Sequence, residues 1–301
     1  MKDSFLCSLM RLSFALLTVA AVVDLPAADD ISGPNLLPNP GFARGEAGLE
    51  GWKLVGCQGQ KHDAAFDGSP AVSVVGSGSD HGYWRTDDLS FEPGGLYELV
   101  FQARRAPGGS GGCAVAGPSR VNRDFGVGTD WGRHEFVFVM PDDSRADYVR
   151  LGQWQAKGEL FFARPLLRRV MASHVVVPPG VELGEAEWIA ENRYHFAPDY
   201  NWRGANYHRP LLKSRAGFNS NRWLFSPGAE VIYRHRVEGF RQLNGKLSVQ
   251  INHHVEGVLR VDASVEGSNW VKVGEFDGQR RGGTVALPSE LFPAREVFVR
   301  L

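Results

Sequence analysis

Leu96-Tyr97-Glu98-Leu99-Val100-Phe101-Gln102-Ala103 alternates residues suited to a core with residues suited to the opposite face. A period of two sends successive side chains to opposite sides of an extended backbone, so the stretch reads as a half-buried strand. His134-Glu-Phe-Val-Phe-Val-Met140 repeats the habit and stops at the turn signal Pro141-Asp142-Asp143. Tyr148-Val-Arg-Leu-Gly152 and Glu159-Leu-Phe-Phe162 are two further short strands, and Pro107-Gly-Gly-Ser-Gly-Gly112 is a loop between strands. After a linker-like stretch from Ser173 to Gly184, the pattern restarts. Ala229–His235, Lys246–Asn252, Val258–Val265 and Trp270–Val273 all alternate, with Asn244-Gly245 and Glu266-Gly267 as tight turns between them. Only Gly184–Asn192 reads as a helical turn or two. The expected fold class is all-β: two β-sandwich, jelly-roll domains in tandem, over 33–172 and 182–301.

Composition agrees. Glycine contributes 36 of 301 residues, proline 17, and the aromatics 11%, while long runs of helix formers are absent. The formal net charge is −1, which gives no electrostatic case for nucleic acid or an anionic membrane as the main partner. Residues 1–28 read as a secretory signal peptide. Lys2 and Arg11 precede the apolar run Leu12–Val23, and Ala27-Ala28 then lead into Asp29-Asp30. The apolar run is too short to span a bilayer, so a secreted or extracytoplasmic location (cell surface or periplasm) is expected, with no membrane insertion after cleavage; an uncleaved membrane anchor is the alternative. Beyond the leader the cysteines are Cys57 and Cys113, which an oxidising compartment is expected to join as a disulfide; two unpaired core thiols are the alternative. The chain ends inside a strand-like run, Glu296–Leu301, as a fragment of a longer protein would; a native chain whose final strand closes the sheet is the alternative.

Asn35-Leu-Leu-Pro-Asn-Pro-Gly-Phe42, followed by Gly51-Trp52, resembles the opening of carbohydrate-binding modules of families 4, 9 and 22. Three further motifs match in order: Pro93-Gly-Gly-Leu-Tyr97, Trp131 with Phe136-Val-Phe138, and Gly158–Phe162. The resemblance covers about 33–172 and implies a galactose-binding-like jelly-roll that binds polysaccharide. It places Trp52 and Trp131 in the core. Members often hold a structural Ca²⁺ between the opening and closing strands, where this chain has Ala43 and Ala163-Arg164-Pro165. A hard cation needs several oxygen ligands, so no metal and no other cofactor is expected. Leu259–Trp270 and Leu287–Pro293 resemble, more faintly, discoidin-like or galactose-binding-like sandwiches.

Sugar recognition needs aromatic faces against pyranose C–H surfaces, with polar groups beside them for hydroxyls. Tyr83-Trp84-Arg85 and Gln153-Trp154 are the candidate carbohydrate-binding residues; strand neighbours face opposite ways, so only alternate members line a groove. Asn201–Pro210 and Phe218–Trp223 read as aromatic-rich loops that bind glycan or pack on the first domain. No catalytic residue is nominated. There is no phosphate-binding loop, nucleophile elbow, His-Glu-x-x-His or Cys-x-x-Cys, and no carboxylate pair is marked for hydrolysis. His195 and His208 read as loop histidines, and the adjacent His253 and His254 do not suit a single-faced chelate. The expected function is secreted, non-catalytic polysaccharide binding, alone or as the N-terminal accessory region of a larger carbohydrate-active protein. A structural or adhesive surface protein and a β-sandwich carbohydrate-active enzyme are the alternatives.

Overall fold

A computed structural model describes residues 33–177, 180–198, 200 and 205–301. The expected signal peptide, Pro178-Pro179 of the expected linker and Asn201–Gly204 of the first aromatic-rich loop lie outside the described residues. Gly33–Leu301 forms one compact unit.

The opening motif is a hydrogen-bonded knot. Buried Asn39 accepts from the amides of Ala43 and Arg44 at 3.0 and 3.2 Å. Its Nδ2 donates to the carbonyls of Gly48 and Glu50 at 3.0 and 3.2 Å. Trp52 then donates its indole N–H to the Asn39 carbonyl and packs on Phe42, ring centroids 5.4 Å apart. Asn35 ties this segment to the closing strand, accepting from Leu167 N and donating to Pro165 O, each near 3 Å. Those partners flank the bulge between Ala163 and Leu166, whose irregular backbone needs partners from outside the ladder.

The first sandwich contains strands β1 (Trp52–Val55), β2 (Gln58–Phe66), β3 (Ser69–Ser77), β4 (His81–Thr86), β5 (Leu89–Ser90) and β6 (Leu96–Arg105). It continues through β7 (Cys113–Pro118), β8 (Val121–Phe125), β9 (Gly132–Val139), β10 (Ala146–Asp147), β11 (Val149–Trp154) and β12 (Lys157–Arg169). One sheet has the order β2-β3-β12-β6-β9, and the facing sheet contains β1-β4-β11-β7-β8. On β6, Tyr97, Leu99, Phe101 and Ala103 point inward, as the alternation predicts. They pack with Val72, Trp84, Phe136, Leu151 and Phe162 in one continuous core.

The second half contains β13 (Val175–Val177), β14 (Val181–Leu183), β15 (Glu187–Ala190), β16 (Arg193–Phe196), β17 (Leu211–Ser214), β18 (Gly217–Asn219) and β19 (Arg222–Leu224). It ends with β20 (Val231–Arg236), β21 (Lys246–Gln250), β22 (Leu259–Ser264), β23 (Val271–Phe276), β24 (Gly282–Ala286) and β25 (Glu296–Arg300). Besides the hairpins β13-β14 and β15-β16, it has the sheets β17-β20-β25-β22-β23 and β21-β24, around a small core of Val261, Phe276, Val285, Val297 and Val299. Gly184–Asn192, expected to be helical, instead forms β15 and the turn into β16; Glu191 and Asn192 take φ of 50° and 59°, the left-handed pair of a tight hairpin. Glu266-Gly267 lies in the β22–β23 connection, whereas Asn244-Gly245 makes no hairpin, because the following β21 pairs with β24.

The two halves share a sheet. β18 pairs in parallel with β8, extending the first sandwich to the order β1-β4-β11-β7-β8-β18-β19. Phe218 enters the first core, Asn219 donates to Asn122, and Asn206 exchanges two hydrogen bonds with the Val139 backbone. Asn206 and the β18–β19 pair thus tie the two aromatic-rich stretches to the first sandwich, while His208 and Arg209 meet Phe196 and Glu187 of the second half.

Cys57 and Cys113 are free thiols, so the expected disulfide is not formed. Cys57 packs on Gly82 of β4, while Cys113 begins β7 on the far side of β11. Two strand spacings amount to roughly 10 Å, beyond the ~7 Å limit between bridged Cα atoms. Burial raises the pKa of both thiols, that of Cys113 to about 12, which keeps them protonated. Alkylation of protein denatured without reductant is therefore expected to label both residues, as peptide mass spectrometry will show; an unlabelled, linked pair of peptides is the contrary result.

Candidate functional site

The outer face of the β1-β4-β11-β7-β8 region gathers three of the five nominated residues. Along β4, Gly82, Trp84 and Thr86 point inward, while His81, Tyr83 and Arg85 point outward. Along β11, Leu151 and Gln153 point inward, and Arg150, Gly152 and Trp154 outward. Trp84 is 5% exposed and donates its indole N–H to Ser73 O at 2.9 Å. Gln153, 2% exposed, donates to Asp80 and accepts from Ala156 N. Both are core residues and are removed from the candidate site. The physical reason is their parity on strands packed from one side.

Trp154 is 49% exposed, with the His81 ring 5.9 Å away. One row along the sheet, Tyr83 and Tyr148 stack with centroids 6.1 Å apart and planes within 10°. The Arg85 guanidinium lies 4.4 Å from the Tyr148 centroid, and that of Arg150 lies 5.6 Å from Tyr83. Two rings and two guanidinium planes therefore brace one another across β4 and β11. Burial, together with the neighbouring Tyr83 hydroxyl, raises the Tyr148 pKa, so the phenol stays neutral. Gly152 gives this arrangement room: a Cβ there would lie 2.2 Å from Tyr83 Cβ.

Tyr148 and Arg150 were not nominated from the sequence. The signal was available, since residues 148, 150, 152 and 154 share one face by the same period of two.

Trp131 departs from its expected place. It lies on the outer face of the other sheet, half-buried, 5.0 Å from Phe66 and 6.3 Å from Phe161. This second aromatic group is largely closed on itself. Phe161 is 6% exposed beneath Arg104, and Arg164 is engaged by Asp67 and Ser69. The first face is the better candidate, because Trp154 is open and Arg85 and Arg150 have no carboxylate at ion-pair distance among the described residues.

Among the described residues, no three His, Cys, Asp or Glu side chains converge as a metal site. His195 stacks on Trp188 at the β15–β16 hairpin, and His208 is buried.

No protein-family profile and no curated protein sequence matches the chain. Solved structures do. The N-terminal tandem of two family 22 carbohydrate-binding modules from Paenibacillus barcinonensis Xyn10C aligns over 89% of this chain and 90% of that one, at 10% identity and a TM-score of 0.39. A family 61 module solved with β-1,4-galactotriose aligns over 46% of this chain and 100% of its own, at 20% identity and TM-score 0.35. The enzymatically active domain of bacteriophage CBA120 tailspike protein 4 aligns over 45% of this chain at 12% identity and TM-score 0.36; the match spans 21% of that protein.

Proposed function

We propose that the chain is a secreted, non-catalytic polysaccharide-binding protein whose ligand lies on the outer face of β4 and β11. The observation that carries this reading is the stacked Tyr83–Tyr148–Arg85–Arg150 group with the half-exposed Trp154 on the same face. Flat aromatic surfaces suit pyranose C–H faces, and a planar guanidinium fork suits paired oxygens. The ordered match of its opening motifs to carbohydrate-binding modules and the leader-like residues 1–28 support the same reading. Affinity is expected to be weak, because sugar hydroxyls exchange hydrogen bonds to water for bonds of similar strength.

Affinity electrophoresis of the full chain on a panel of polysaccharides tests the proposal. Trp154→Ala is expected to abolish or strongly reduce retardation while shifting stability by no more than about 0.5 kcal/mol, as an exposed substitution does. Trp84→Ala is expected to cost about 3–5 kcal/mol, as truncation of a core ring does. If wild type is retarded by no polymer, the protein-binding surface reading replaces this one. Release of reducing ends would overturn the non-catalytic part.

A further inference from the structure

Lys53, Arg85 and Arg150 form one register line across β1, β4 and β11. Cationic side chains placed directly opposite one another repel. Only Lys53 has a carboxylate at ion-pair distance, Asp87; among the described residues Arg85 and Arg150 have none. Asp87 also feels Arg85, yet its pKa is lowered first by the hydrogen bond from Lys53. Asp147 faces away from the line, accepting from the amides of Arg120 and Tyr148. Asp124 sits on β8, two strands beyond β11, or roughly 10 Å. Tyr148 and Tyr83 hold the two guanidinium planes but offer them only ring faces. The Nε of Arg150 is buried without a hydrogen-bond partner among the described residues. On β7 the line continues at Gly117, which brings no side chain to screen Arg150.

We infer that the glycan bound here is anionic, and that Arg85 and Arg150 receive an oxyanion on it, either a uronate carboxylate or a sulfate ester. The inference rests on the glycan-binding reading and narrows its ligand class. Both groups present paired oxygens to a guanidinium fork. An anion would offset the repulsion along the line and accept from the guanidinium N–H groups. A nucleic-acid phosphate offers the same oxygens, but the resemblance of the opening motifs to carbohydrate-binding modules favours a glycan.

The test is affinity electrophoresis of the full chain on polygalacturonate, a sulfated galactan and an uncharged β-galactan, at 50 and 500 mM NaCl. Acidic polymers are expected to bind about tenfold more tightly than the uncharged one at low salt, with most of that preference lost at high salt through screening. Whether polygalacturonate or the sulfated galactan is retarded identifies the oxyanion. Arg85→Gln and Arg150→Gln are each expected to lower the preference by about tenfold, with unchanged melting temperatures. Arg150→Lys is expected to keep the salt dependence while losing affinity. Equal binding of charged and uncharged polymers, insensitive to salt and to both glutamine variants, would overturn the inference but leave glycan binding intact. No retardation on any polymer would overturn both. Retention of single-stranded DNA in preference to every acidic glycan would also overturn it.

Discussion

Asn39→Ala is expected to destabilise the protein by about 4 kcal/mol, the largest effect of any single polar substitution in the first sandwich. The side chain is 2% exposed and serves five backbone groups: the amides of Ala43 and Arg44 and the carbonyls of Arg44, Gly48 and Glu50. Alanine leaves these groups without their shared partner, and a buried orphan such as the Gly48 carbonyl costs about 1–3 kcal/mol before local relaxation. The neighbouring contacts compound the loss, since the Asn39 carbonyl also receives the Trp52 indole N–H. Asn39→Asp is a diagnostic companion. It keeps the acceptor for Ala43 and Arg44 but turns an oxygen toward the carbonyls, so it is expected to rescue little. Urea denaturation of both variants checks this; a loss below 1 kcal/mol for alanine would mean that the knot is dispensable.

That knot was the most legible part of the fold. The Asn-x(3)-Asn-x(2)-Phe spacing is the chemical requirement of a segment that must satisfy its own backbone and the β12 bulge with two amide side chains. Strands such as β6 were legible because one face meets the core and the other does not. Parity was where the site reading failed: Tyr83-Trp84-Arg85 looks equally promising at each position, and only the packing side distinguishes Trp84 from its neighbours. The β18–β8 pairing left no local trace. It joins residues 97 positions apart through two paired residues, too short for a periodic signal. The disulfide expectation failed because cysteine count and compartment say nothing of the two strands that intervene.

The second half holds a buried polar network that the sequence reading reduced to loop histidines. Glu187, its side chain fully buried, receives Arg209, the Tyr194 hydroxyl at 2.6 Å and the Gly184 amide at 2.7 Å. The Tyr194 hydroxyl also meets Nδ1 of His235 at 3.3 Å, and the His235 ring lies against Phe196 and Tyr233. His208 packs edge-on to Phe196 and Tyr200, its Nδ1 buried without a hydrogen-bond partner among the described residues. Two imidazoles thus sit where a protonated ring would be poorly solvated. The carboxylate nearby is already engaged by a guanidinium.

Stability is consequently expected to fall steeply as the pH drops from 6.5 to 4.5. Burial lowers the pKa of His208 and of His235 to about 4, and the opposing influence of Glu187 does not offset it. In the unfolded chain both titrate near 6.5. Between those values the unfolded state binds more protons than the native one, so stability rises with pH across the window and is lost as pH falls through it. At pH 4.5 each histidine is expected to cost about 2.5 kcal/mol relative to pH 7.5, so the pair costs about 5 kcal/mol if they act independently. Glu187 adds to the loss only at lower pH: its folded pKa is depressed, so its contribution is present above the ordinary carboxylate value and disappears as pH falls through the folded one. Guanidinium denaturation at pH 7.5, 6.5, 5.5 and 4.5 reads the slope directly. His208→Phe, which keeps an apolar ring among Phe196 and Tyr200, is expected to remove about half of it while leaving glycan retention at neutral pH unchanged. A wild-type stability that is flat between pH 7.5 and 4.5 would mean that both rings accept a proton inside the fold, through water or through movement of Tyr194 away from His235.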